Sequence, residues 1–139
     1  MPQSKSQTHI TPDRIWLLIS EILGIPVAIC KETLYDPCPT NTPYKAPIFF
    51  NGLYGDWGSC NYVNPPFETK IMTQFIKKAV EQSKKHSWSF MLLPCKTDQG
   101  WFHDIILKNR YNVFWIRKRL RFKNNKHHAA GPHFLVLIK

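Results

Sequence analysis

The amino-acid sequence predicts an α/β fold, a right-handed sheet with packed helices that ends in a C-terminal antiparallel hairpin. The apolar pattern carries that prediction. Between Glu68 and Lys85, Ile71, Met72, Phe75, Ile76, Ala79 and Val80 recur at helical spacing, with Lys70, Lys77, Lys78, Glu81 and Lys84 on the other face. Trp88 to Leu93 is then continuously apolar except for Ser89 and stops at Pro94, as a buried parallel strand does. Three further strand-like runs follow: Val113 to Ile116, Leu120 to Phe122 and Phe134 to Ile138.

Taken in order, residues 1–10 are polar and read as a flexible arm, and residues 11–139 as a single domain. Thr11-Pro12-Asp13 is a helix start: the Thr hydroxyl can cap a free N–H, Pro suits the first turn and Asp complements the dipole. That helix is expected to reach Leu23, with Gly24 ending it. Val27 to Ile29 and Leu34-Tyr35 suggest one short strand leading into Asp36. Pro37, Pro39, Pro43 and Pro47 make residues 36–47 an irregular loop. Phe49-Phe50 and Leu53-Tyr54, around Asn51-Gly52, fit a small hairpin or edge strand, and Cys60 to Val63 a strand ending at Asn64. Thr97-Asp98 opens a helix carrying Trp101, Phe102, Ile105 and Ile106 on one face and closing in Lys108-Asn109-Arg110.

Composition bounds the function. A chain of 139 residues that is 43% hydrophobic can bury a single core. Lys and Arg number 19 against nine Asp and Glu, an excess that predicts a polyanionic partner. Cys30, Cys38, Cys60 and Cys95 form no CxxC pair, so reduced thiols in an intracellular, cytoplasmic protein are expected. No run approaches the ~18 apolar residues that span a bilayer, so no membrane partner is expected.

The constellation that carries chemistry is Tyr62-Val63-Asn64-Pro65-Pro66-Phe67, at a strand-to-helix junction where α/β sheets place their ligands. Asn and Pro are also turn formers, and the tetrapeptide alone would serve to stop a strand. Its residue types equally suit the activation of a weakly nucleophilic amine, for which adenine N6 is an example. An adenine N6 amine is a poor nucleophile because its lone pair is delocalised into the ring. The Asn64 side-chain oxygen and the Pro65 carbonyl can each accept one amine N–H, aiming the lone pair at a methyl donor. Phe67 offers a flat face to a base removed from its stack.

From Thr11 onward the order of motifs resembles the phage-type (Dam-like) DNA N6-adenine methyltransferase family. The matching residues are Thr11-Pro12-Asp13, Asp36-Pro37-Cys38, Gly55-Asp56-Trp57, Asn64-Pro65-Pro66-Phe67, Leu92-Leu93-Pro94, Thr97, Trp101-Phe102 and Arg119-Leu120-Arg121-Phe122. The resemblance implies a Rossmann-like, SAM-dependent methyltransferase sheet acting on adenine N6 in DNA, in a phage or viral modification system, within the host cytoplasm if viral. It implies Asn64, Pro65, Pro66 and Phe67 as the catalytic turn, and Thr11, Pro12, Asp36, Pro37, Cys38, Asp56 and Asn64 around S-adenosyl-L-methionine. RNA or a glutamine amide is the alternative substrate for the same turn. A nucleic-acid-binding module of the same fold without catalysis is the other reading.

The sequence departs from the family in specific places. Asp36-Pro37-Cys38-Pro39-Thr40-Asn41 lacks the glycines that let backbone approach a cofactor, and Lys118 stands where the resemblance implies glycine. The chain is short, so target recognition would come from loops, a homodimer or a partner subunit. Lys96 and Thr97 after the central strand, with the run Arg117, Lys118, Arg119, Arg121, Lys123 and Lys126, are the expected nucleic-acid contacts. The same run would also serve as a charged hairpin edge. His127, His128 and His133 lack a carboxylate or Cys at ligand spacing, so no metal is expected.

Overall fold

A computed structural model of the chain describes residues 10–39, 52–123 and 125–139. Its elements in order are α1 (Asp13–Leu23), α2 (Val27–Thr33), β1 (Cys60–Val63), α3 (Thr69–Ser83), β2 (Trp88–Pro94), a π-helix (Phe102–Leu107), β3 (Asn112–Trp115) and β4 (His133–Ile138). They form a mixed α/β arrangement around a four-stranded sheet of order β1-β2-β4-β3. β1 and β2 are parallel, joined through α3, and β4 is antiparallel to both β2 and β3. Backbone hydrogen bonds join Tyr35 to Cys60 and Tyr62, and this single parallel bridge extends the sheet beyond β1.

The sheet is buried on both faces because side chains alternate along each strand. On one face Val63, Met91, Leu93, Phe134, Val136 and Ile138 pack against Met72, Phe75, Ile76 and Ala79 of α3 and against Trp101, Phe102 and Ile106. On the other, Tyr62, Phe90, Leu92 and Leu135 meet Ile15 and Ile19 of α1, Cys30 of α2, and Leu120 and Phe122. Each such side chain taken from water contributes about 1.5–3 kcal/mol, which makes β2, lined on both faces, the mechanical centre.

Several sequence expectations are corrected. Val27 to Ile29 is helical, part of α2, because Pro26 at its N-cap presets the helical entry and the Pro26 carbonyl accepts the first backbone bonds. Leu120 to Phe122 forms no strand; Leu120 and Phe122 are core residues of an irregular segment. β3 and β4 pair antiparallel as expected, but the connection between them holds this segment and is no tight hairpin. β2 has a parallel neighbour on one side only. The predicted helix after Thr97 is mostly π-helical. Gly24 ends α1 as expected, at φ 70 with its N–H donating to the Ser20 carbonyl. Phe49-Phe50 and the prolines at 43 and 47 lie outside the described residues.

Candidate active site

β1 delivers Asn64 to the carboxyl edge of the parallel pair. Pro65 and Pro66, both buried, hold the turn, and Phe67 is half-buried just before α3 begins. Asn64 itself is buried, and its Nδ2 donates to the Thr11 hydroxyl at 3.4 Å. Thr11 is not the cap of α1: Pro12 takes that position without a side-chain cap bond. The Thr11 hydroxyl instead lies 2.7 Å from the hydroxyl of Tyr62, which is buried with its ring tilted against that of Trp16, centroids 4.7 Å apart. Burial pushes the Tyr62 phenol far above its ordinary pKa, so it stays neutral and hydrogen bonding.

Asp36 follows the Tyr35 bridge and so stands beside Tyr62, whose pKa its charge raises further. The Asp36 carboxyl has solvent at its surface, yet the surrounding protein withdraws enough water to push its pKa up to about 6, partly offset by the Cys38 N–H donating at 2.8 Å. Pro37 is buried against Gly52, whose missing Cβ would collide with the Pro37 carbonyl. The Cys38 side chain enters the core, where burial pushes its thiol up to about 12.

Beside Phe67 a cavity of about 320 Å³ opens between the ends of β2 and β4. Phe67, Phe122 and His133 form its aromatic wall, with ring centroids 5.0 Å apart for Phe67 and His133 and 5.7 Å for Phe122 and His133. Lys96 and Asn125 lie on its polar side. Thr97 is exposed next to it, its carbonyl accepting from His103 Nε2 at 2.7 Å.

The structure brings together Thr11, Asp36 and Asn64 to Phe67. It does not bring Asp56 to them. α3 returns from the carboxyl edge to the amino edge, and Asp56 sits at that far end, accepting from Gln82 Nε2 at 3.1 Å and ion-paired with Lys85 at 3.0 Å. Pro12 lines a basic basin with Arg14, Lys118, Arg119 and Arg121. Arg117, Lys123 and Lys126 are exposed nearby in sequence, and Lys123 pairs with Asp13 at 2.6 Å. Trp57, Trp101 and Phe102 are core residues.

Tyr62, Asn125 and Arg14 carry no signal of their own role in the sequence, and His133 reads there only as a candidate metal ligand. The one usable signal for His133 was its position at the start of the last strand, opposite Pro94 in register.

A model of the DNA N-6-adenine-methyltransferase (Dam) family matches residues 41–133, more than half of the chain. The chain belongs to that family. No curated protein and no solved structure matches it. The family match includes Asn64 to Phe67, Lys96, Thr97 and Arg119 to Phe122, and begins after Thr11 and Asp36. Those two residues therefore join the site through geometry alone. Among the described residues no helix is long and apolar enough to cross a membrane.

Proposed function

We propose that the chain is a SAM-dependent methyltransferase, with a Rossmann-like sheet, acting on the exocyclic N6 amine of adenine in DNA. The observation that carries this reading is the position of Asn64 to Phe67: the turn separates the Thr11, Tyr62 and Asp36 cluster from the aromatic cavity of Phe67, Phe122 and His133. The cluster suits a cationic ligand and the cavity a planar base. Membership of the Dam family supports adenine in DNA as the substrate.

The residues fit S-adenosyl-L-methionine in charge and place. A carboxylate whose pKa is raised by lost water, as at Asp36, gains from a cation brought beside it. Thr11 offers a hydroxyl on the same side, where both would hold the cofactor. When bound, the group supplies an electrophilic methyl carried on a sulfonium. Asn64 Oδ1 and the Pro65 carbonyl accept the two N–H bonds of the amine, which draws the nitrogen out of conjugation and directs its lone pair. The Thr11 contact to Nδ2 fixes the rotation of the Asn64 carboxamide, and therefore the direction of its oxygen. Phe67 stacks on the base and replaces the neighbours it has lost.

The test is transfer of labelled methyl from SAM to adenine-containing DNA, with the product identified as N6-methyladenine by mass spectrometry. Wild-type protein should form it and Asn64→Ala should not. Labelled RNA with unlabelled DNA under matched conditions would move the substrate to RNA. Absence of SAM binding with or without DNA would overturn the enzymatic reading.

A further inference from the structure

The connection between β3 and β4 has a cavity on either side of it. Phe122 lines the aromatic one, while Lys118, Arg119 and Arg121 line an open basin of about 690 Å³ whose floor is Pro12 and Arg14 and whose rim includes His128. Burial alternates along this stretch: Leu120 and Phe122 are core, and Arg119, Arg121 and Lys123 are exposed. The basin collects positive charge. Asp13, the acidic residue adjoining its floor in sequence, is held by Lys123.

Its construction is specific. Lys118 has φ 63, a left-handed conformation that glycine adopts without cost and lysine does not. Arg14 holds the turn in place: Nη1 donates to the Arg117 carbonyl at 2.6 Å, and Nη2 to the carbonyls of Lys118 and Arg119, each at 3.2 Å. A guanidinium fork spent on three main-chain carbonyls is a positioning device. A lysine at this left-handed position adds a cation to the turn that Arg14 holds. The same N-terminal stretch ties the basin to the site already described, since Thr11 reaches Asn64 and the Ile10 carbonyl accepts the Lys123 N–H.

We propose that this basin seats a backbone phosphate of a nucleic-acid strand, with Lys118, Arg119 and Arg121 as its contacts and Arg14 as the residue that positions them. The inference rests on the reading that a base enters the cavity beside Phe122, because one segment then presents its apolar side to the base and its cationic side to the adjoining backbone.

The experiment is fluorescence anisotropy of a labelled adenine-containing oligonucleotide titrated with the full chain over a range of salt, without cofactor. Lys118→Gly removes the charge and relieves the backbone, so it keeps the fold. Lys118→Gly/Arg121→Ala should weaken binding several-fold and reduce the slope of log K against log salt by about 0.9 for each duplex phosphate that the variant no longer neutralises. Lys77→Ala/Lys84→Ala on α3 removes equal charge elsewhere and should leave the slope unchanged. Arg14→Lys, which keeps charge without the fork, should also weaken binding, with an unchanged far-ultraviolet circular dichroism spectrum. Equal slopes for the basin and α3 variants overturn the proposal. So does inorganic phosphate binding, read by phosphorus NMR, that Lys118→Gly abolishes while the oligonucleotide slope stays put: the basin then belongs to a free phosphate. Wild-type protein that forms no N6-methyladenine yet shows the slope difference sinks the methyl-transfer reading and sustains the phosphate seat. Methylation without the slope difference does the reverse.

Discussion

The Thr11 hydroxyl lies 2.7 Å from the Tyr62 hydroxyl, joining the entry of α1 to β1 across 51 positions of chain. A threonine placed to cap a helix has become a tertiary contact that also accepts from Asn64 Nδ2. Thr11→Val leaves the buried Tyr62 hydroxyl without this partner, and Tyr62→Phe leaves the half-buried Thr11 hydroxyl with its Asn64 contact alone. Thr11→Val and Tyr62→Phe should each therefore destabilise the fold by about 1–3 kcal/mol. The double variant should cost less than the sum, with a coupling of about 0.5–3 kcal/mol from urea unfolding midpoints. Additive effects would mean that the two hydroxyls contribute independently and that their contact carries no coupling energy.

Asp36 should make cofactor affinity depend on pH. Its pKa in the fold is about 6 against an ordinary 3.8, so the folded protein holds the proton more tightly than the unfolded chain. The stability this contributes is fully present below 3.8 and lost as pH rises towards 6, to a small extent because solvent reaches the carboxyl. A bound cation requires the ionised form. SAM affinity, followed by calorimetry, should rise with pH up to about 6 and then level, approaching tenfold per unit at low pH. Asp36→Asn should bind weakly with a flat profile. A wild-type profile that is already flat would remove Asp36 from the cofactor site.

Much of this architecture is legible in the sequence, for identifiable reasons. α3, β1 and β2 emerge within a residue or two because their periodicities are strong and their ends carry Pro, Asn or a break in apolar spacing. Asn64 to Phe67 is recognisable because a short motif at a strand end carries its own chemistry. Val27 to Ile29 reads as strand because a short apolar stretch fits either period, and Pro26 decides for helix by presetting its entry. Arg14 and His133 were beyond reach: Arg14 meets carbonyls 103 to 105 positions away, and His133 meets Phe67 only after β4 pairs with β2. The family resemblance implies a glycine where Lys118 stands, and the φ of 63 there supplies the physical reason.

Asn64→Ala should separate binding from chemistry. An acceptor that matters only as the amine nitrogen becomes tetrahedral is missing from the ground state, so its loss lowers kcat and leaves KM for DNA nearly unchanged. By analogy with the removal of one preorganised polar group elsewhere, the fall should be on the order of 100-fold or more. Phe67→Ala should do the opposite in part, raising KM for DNA because stacking is worth about 1–3 kcal/mol per base. If Asn64→Ala raises KM and spares kcat, the carboxamide is a binding contact and not a catalytic residue.

Asp36 and Asp56 offer a matched pair of acidic residues, both assigned to the cofactor by motif and set at opposite edges of the sheet by the fold. Asp56 closes the amino edge: its carboxylate takes hydrogen bonds from Gln82 and Lys85, while Gln82 Oε1 accepts the Trp57 N–H at 2.9 Å. Those bonds hold its pKa below the ordinary carboxylate value, and its charge is already matched by Lys85 at the edge away from Asn64. Asp56→Asn should therefore leave SAM affinity and methyl transfer within about twofold of wild type, while Asp36→Asn weakens both. Gln82, buried and bonded at both ends of its amide, should matter more than the aspartate beside it: Gln82→Leu should cost about 1–3 kcal/mol by denaturant unfolding, through the stranded Trp57 N–H. A large loss of SAM affinity in Asp56→Asn with unchanged stability would mean that the cofactor reaches across the sheet, and would require a different placement of the site.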